Sequence, residues 1–211
     1  MQHMSTSTLA KVLCELKHHA PFTALGTLSG IVVIFILTVT RVPRSLSNGL
    51  FWSLHPGHVL LSAFVTTALY RRSARSGFFL SFIVGYVGAV GIASLSDSFI
   101  PFTGELLLGL PHRGIHLGFV EKWWLVNPLV IIGITAGYSL PKTHVPHAGH
   151  VFLSTWASLF HMTMALGDIV TPLQLIVIPI FLFLAVWLPC CTSDIVFPLL
   201  FVGKERPEHR I

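Results

Sequence analysis

"HPGHVLLS" occupies residues 55–62 and "HAGHVFLS" occupies residues 147–154, so one short stretch is written twice, 92 positions apart, with six of eight letters unchanged. Both copies keep the two histidines, the glycine and the closing serine. Hydrophobic packing alone does not require imidazoles. The repetition therefore ties a chemical group to a repeated piece of fold.

Composition names the solvent of that fold. Of the 211 residues, 53% are hydrophobic and only 10% are charged, whereas a soluble domain carries about 25% charged residues. A lipid bilayer is the expected partner. Thirteen Lys and Arg against eight Asp and Glu give a net charge of +5. The basic excess sits in loops and near the ends, where it reads as an orientation signal, and no nucleic-acid partner is expected. Cys14, Cys190 and Cys191 form no disulfide framework, since adjacent cysteines rarely bridge each other. Residues 1–19 are polar and hold Lys11, Glu15 and Lys17, so no cleavable signal peptide is expected. Histidine is the unusual residue: there are twelve, more than all the acidic residues together.

A spanning helix needs about 20 mostly apolar residues. Six segments qualify, at about 21–40, 50–70, 77–99, 125–140, 149–166 and 172–202. The expected fold is an all-α integral membrane protein with six transmembrane helices. Pro179 and Pro189 should kink or break the sixth span. Residues 101–124, "PFTGELLLGLPHRGIHLGFVEKWW", are too interrupted to span and are expected to lie at the interface or re-enter it. With six spans, nine basic residues fall on the side of the termini (Lys11, Lys17, Arg71, Arg72, Arg75, Lys142, Lys204, Arg206, Arg210) and four on the other (Arg41, Arg44, Arg113, Lys122). The positive-inside bias places both termini in the cytoplasm. A prokaryotic inner membrane is the expected location. Trp52, Trp123 and Trp124 fall near the opposite interface, as an aromatic belt does.

Two more echoes accompany the histidines. Pro21, Gly26 and Gly30 in the first span return with identical spacing as Pro128, Gly133 and Gly137 in the fourth. "SDSFIP" at residues 96–101 returns as "SDIVFP" at residues 193–198. Three echoes in the same order indicate an internal duplication, with residues 1–110 and 111–211 as the two units. Each unit holds three spans, an odd number, so the second copy enters the membrane upside down. Inverted-topology repeats mark many secondary transporters, whose sites lie between the repeats.

The repeated polar letters are the expensive ones inside a membrane. His55 and His58 stand at i and i+3, one face of a helix. Pro56 suits a first helical turn, which places the pair near the start of the second span, and Gly57 leaves room for another helix. Asp97 closes the third span on the same membrane face, so His55, His58 and Asp97 can converge. By the repeat, His147, His150 and Asp194 can converge near the cytoplasmic face. Two imidazoles and a carboxylate suit a divalent transition metal such as Zn, Fe, Mn, Co or Ni. Secondary candidates are His18 and His19 near the second set, and His112, His116 and Asp168 near the first. Ser96, Thr192 and Ser193 can support the aspartates. Cys190 and Cys191 have no counterparts in the first unit and read as packing residues. His161, fourteen residues after His147 on the fifth span, has a spacing that suits stacked haems, but the facing helix offers no matching pair.

These residues point first to a transporter or permease whose substrate is a divalent transition-metal ion. A chain this short can dimerise to complete a pathway, so a homodimer is a possible assembly. The alternative is a membrane metalloenzyme or a metal-binding sensor. His55/His58, His112/His116, His147/His150 and the His18–His19 pair resemble in type the histidine boxes of membrane di-iron oxygenases. No HxxHH box occurs, and an inverted repeat would split the boxes between two faces. A transporter, not an enzyme, is therefore the preferred reading.

Overall fold

The computed structural model describes residues 6–40, 43–74, 77–140, 147–167, 169–191 and 197; the side chains of 6–16, 18, 19, 22, 72–74, 147, 148, 190 and 191 lie outside the described set. Among these residues every regular element is helical. In chain order they are α1 (Thr6–Thr40), α2 (Arg44–Ala74), α3 (Phe78–Ser94), a π-helical turn (Leu95–Phe99), α4 (Ile100–Leu107), α5 (Gly118–Glu121), α6 (Trp123–Ser139), α7 (His147–Ala165) and α8 (Pro172–Cys191).

Three helical stretches, Thr23–Thr40, Phe78–Leu107 and Pro172–Pro189, are long and apolar enough to cross a membrane, and Trp123–Ser139 is a shorter apolar helix. The outer faces of these helices carry exposed Leu28, Val32, Phe35, Phe79, Ile83, Val87, Ile132, Ile176 and Ile180. Large exposed apolar area on every outer helix fits a surface solvated by lipid. The two remaining long helices are the polar ones, and they lie at the centre. α2 packs on α3, α6 and α7, while α7 packs on α1, α2 and α8. His55, His58, Ser62, Thr66 and Thr67 of α2 are buried, as are His150, Ser154, Thr155, Ser158 and His161 of α7. The bundle is thus inverted relative to a soluble protein, apolar outside and polar along its axis.

Directions follow from the contacts. Gly26 faces Thr155 and Gly30 faces Leu159, so α1 and α7 run parallel. Gly133 faces Leu60 and Ala63, and Gly137 faces Phe64 and Ala68, so α2 and α6 run parallel too. α2 and α7 are antiparallel: His58 meets His150, and Phe51 meets His161. Two apolar clusters flank the axis. Val59, Ala63, Ala89, Val90, Val130 and Ile134 join α2, α3 and α6. Ile34, Leu159, Met162, Ile178 and Leu182 join α1, α7 and α8. Lipid tails are as apolar as these side chains, so close packing holds such helices together. The glycines supply it: a Cβ on Gly133 would collide with the Leu60 carbonyl oxygen, and one on Gly137 with that of Phe64.

Several expectations need correction. Pro56 is not in a first turn but well inside α2, which begins at Arg44, and Pro21 likewise lies inside α1. α8 continues through Pro179 and on to Cys191. The third span does not stop at residue 99, because α4 follows it without a break through the π turn. The Ile100 N–H reaches back to the Leu95 carbonyl, an i→i−5 bond. That shift in register precedes Pro101, whose missing N–H costs little in the first turn of α4. Within residues 101–124 the irregular stretch is 108–117, followed by the single turn of α5. No close helix approach depends on Gly57, since a Cβ added there would meet only the Leu153 side chain, at 3.8 Å.

Candidate metal centre

The π turn carries Ser96, Asp97 and Ser98, all buried. Its wider coil delivers the Asp97 carboxylate into the axis between α2 and α7, where Asp97 is fully enclosed. A buried carboxylate is costly unless its lone pairs are taken. Here they are taken on both sides. Oδ2 meets the Nδ1 atoms of His55 at 2.9 Å and His58 at 2.7 Å. Oδ1 accepts from the hydroxyls of Ser96 at 2.7 Å and Ser154 at 3.0 Å, with Ser158 at 3.5 Å. Ser158 also donates to the Ser96 carbonyl oxygen at 2.9 Å, pinning the turn to α7.

This arrangement sets the tautomers. An ionised carboxylate only accepts hydrogen bonds, so both Nδ1 atoms donate, and in neutral rings each Nε2 keeps its lone pair. A carboxylate behind an imidazole, with the far nitrogen left to bind, is the usual support of a metal-ligating histidine. His58 Nε2 is buried and has no hydrogen-bond partner among the described residues. The His58 ring packs edge-on against His150, with centroids 4.7 Å apart at 63°. His55 stacks on Phe51 at 5.3 Å, and a Cβ on Gly118 would strike its Nε2. The first triad thus converges as its spacing implied, with the Asp97 carboxylate meeting both imidazoles at Nδ1.

His150 joins His58 at the axis instead of marking a separate face. His147 lies on the first turn of α7 with its side chain outside the described set, and Asp194, Asp168, Thr192 and Ser193 are outside it altogether. The side chains of His18, His19, Cys190 and Cys191 are also outside it. His112 is exposed and lines an outer cavity of about 480 Å³ with Arg44, Ser47 and Thr163. His116 is half-buried and pairs with Glu121 at 3.3 Å. Among the described residues no three His, Cys, Asp or Glu side chains are already grouped to hold a metal ion.

Sequence reasoning missed Ser158, Glu105 and the true place of His161. Glu105 and His161 are both buried and lie 2.9 Å apart. Glu105 is a lone acid in an apolar run, which is itself a signal inside a membrane. Its partner, 56 positions away, was not readable. No family model, curated protein or solved structure matches the chain.

Proposed function

We propose that the protein is a transporter or permease for a divalent transition-metal ion, built of six spans as two inverted three-helix repeats with cytoplasmic termini. The observation that carries this reading is the contact of His58 with His150 beside a buried, hydrogen-bonded carboxylate. His58 and His150 are equivalent letters of the repeat, 92 positions apart. Equivalent residues touch only on the axis that relates the two copies, so this contact is what a two-fold axis in the membrane plane requires.

Other contacts exchange under the same operation. Gly26 packs on Thr155 and its echo Gly133 packs on Ala63; Thr155 and Ala63 are again 92 apart. The α2–α3–α6 cluster exchanges with the α7–α8–α1 cluster. The parallel and antiparallel pairs agree with six spans of alternating direction. Ser62 and Thr66 of α2, the counterparts of Ser154 and Ser158, are buried as well.

In this reading the ion binds at the axis through His58 and His150, with His55 beside them and Asp97 orienting the rings. By the repeat, His147 and Asp194 are the sequence counterparts of His55 and Asp97. Exchange of conformation between the halves opens the centre to one face and then the other. Zn, Fe, Mn, Co and Ni all suit imidazole ligands. The test is flux: a metal-sensitive dye sealed in proteoliposomes should respond to external divalent metal, and His58→Ala should abolish the response. Metal held tightly with no flux under any imposed gradient would instead favour an oxygenase-like enzyme or a sensor.

A further inference from the structure

On the outer side of the centre, Phe51 is fully buried and touches both His55, at 5.3 Å, and His161, at 5.3 Å. Beyond Phe51 lies a second polar group that the transport reading does not use. His161 from α7 and Glu105 from α4 are enclosed, with side chains 0% and 1% exposed. His161 Nδ1 stands 2.9 Å from Glu105 Oε1. At that separation a hydrogen bond is expected, yet neither His161 nitrogen has a partner with acceptable geometry among the described residues. The other carboxylate oxygen, Oε2, is occupied by the Gly114 N–H at 3.2 Å, which fixes the direction of Oε1. The His116 ring lies 5.3 Å from the His161 ring and is 30% exposed.

A nitrogen and an oxygen that share a metal at about 2.0–2.2 Å each stand about 3 Å apart at the 90° angle of an octahedral ion and about 3.4 Å apart at the tetrahedral angle of zinc. The 2.9 Å here suits the former directly and the latter after a small opening of the pair. Two such ligand atoms need no hydrogen aligned between them. The His161–Glu105 pair has that separation and lacks that alignment. We infer that His161, Glu105 and His116 form a second transition-metal site, in which His116 swings inward as the third ligand. It takes the same class of ion as the centre, because two imidazoles and one carboxylate are a competent shell for Zn²⁺ and its neighbours. Its place gives it a role. His116 faces the outside, His161 abuts Phe51, and Phe51 abuts His55, so the site is an outer station from which an ion passes Phe51 to the centre. That passage rests on the transport reading; the site itself does not.

The test counts ions. Equilibrium dialysis of the full-length protein in detergent against Co²⁺ or Zn²⁺ should find two ions per chain. His161→Ala should leave one, and Glu105→Gln, which keeps shape and the Gly114 hydrogen bond, should weaken one site at least tenfold and spare the other. His58→Ala should also leave one, the outer one. Helical circular dichroism checks that each variant is folded, and Glu105→Gln decides the matter if His161→Ala is not. One ion in the wild type, lost in His58→Ala and kept in full by Glu105→Gln, overturns the outer site and leaves the centre standing. Two ions with neither affected by Glu105→Gln or His161→Ala also overturns it. Loss in His161→Ala without loss in His58→Ala supports the outer site and removes the centre.

Discussion

Replacing Asp97 should damage the bundle in a graded and calculable way. Asp97→Ala removes the acceptor for four buried donors within 3.0 Å: the Nδ1 groups of His55 and His58 and the hydroxyls of Ser96 and Ser154. A buried donor left without a partner costs about 1–3 kcal/mol. The hydroxyls have an escape, since Ser96 already reaches the Ala93 carbonyl at 3.4 Å. The imidazoles have none at Nδ1, so the two rings dominate, at roughly 2–6 kcal/mol together. Asp97→Asn is milder. Its amide oxygen can face the imidazoles while its NH₂ faces the serine oxygens, which can accept. Only the charge assistance is lost, about 1 kcal/mol per imidazole bond. At about 2–4 °C per kcal/mol for a chain of this size, thermal melts in detergent should order wild type, Asn and Ala from high to low. The expected drops are about 4–8 °C for Asn and, at the middle of the range for Ala, about 8–16 °C. An Asp97→Ala protein melting within 2 °C (about 1 kcal/mol or less) of wild type would refute the hydrogen-bonded carboxylate.

Other perturbations separate packing from chemistry. Gly133→Ala drives a methyl into the Leu60 carbonyl, which is backbone and cannot rotate away, so melts should show a loss of about 1–3 kcal/mol. Gly91→Ala, with nothing within 4 Å of a new Cβ, should be neutral or stabilising by up to about 1 kcal/mol. Ser154→Ala and Ser158→Ala should each cost about 1 kcal/mol in thermal melts, because the first loses the 3.0 Å bond to Asp97 and the second the 2.9 Å bond to the Ser96 carbonyl. A protonated imidazole has no lone pair for a metal, so metal uptake into proteoliposomes without an imposed proton gradient should be weaker in acid than at neutral pH; uptake that strengthens in acid would contradict histidine ligation.

The all-helical character and the three long apolar stretches were legible because a membrane span needs a long apolar helix, and the convergence of His55, His58 and Asp97 was legible from spacing and parity. What escaped was set by tertiary structure. Pro56 and Pro101 read as boundaries, since proline removes a backbone donor; one lies inside α2 and the other just past a π turn that absorbs the loss. The polar character of α2 and α7 gave no hint that they were the centre, because burial among neighbours cannot be seen in one chain's periodicity. The spacing brings Asp97 to His55 and His58 but does not show that its carboxylate meets both rings at Nδ1. Its role as the acceptor behind two imidazoles depends on Ser154 and Ser158, which arrive from α7. Glu105 and His161 meet through α4, a helix that the proline had hidden.

The claim that the bundle axis is a metal site is tested most directly by anomalous scattering from crystals of the wild-type protein grown with Zn²⁺ or Co²⁺. A peak is expected within about 2.0–2.2 Å of His58 Nε2 and a ring nitrogen of His150, with Asp97 still on the Nδ1 side. Crystals saturated with metal that show no peak beside His58, or in which both rings keep their present contacts while the ion binds elsewhere, would contradict it.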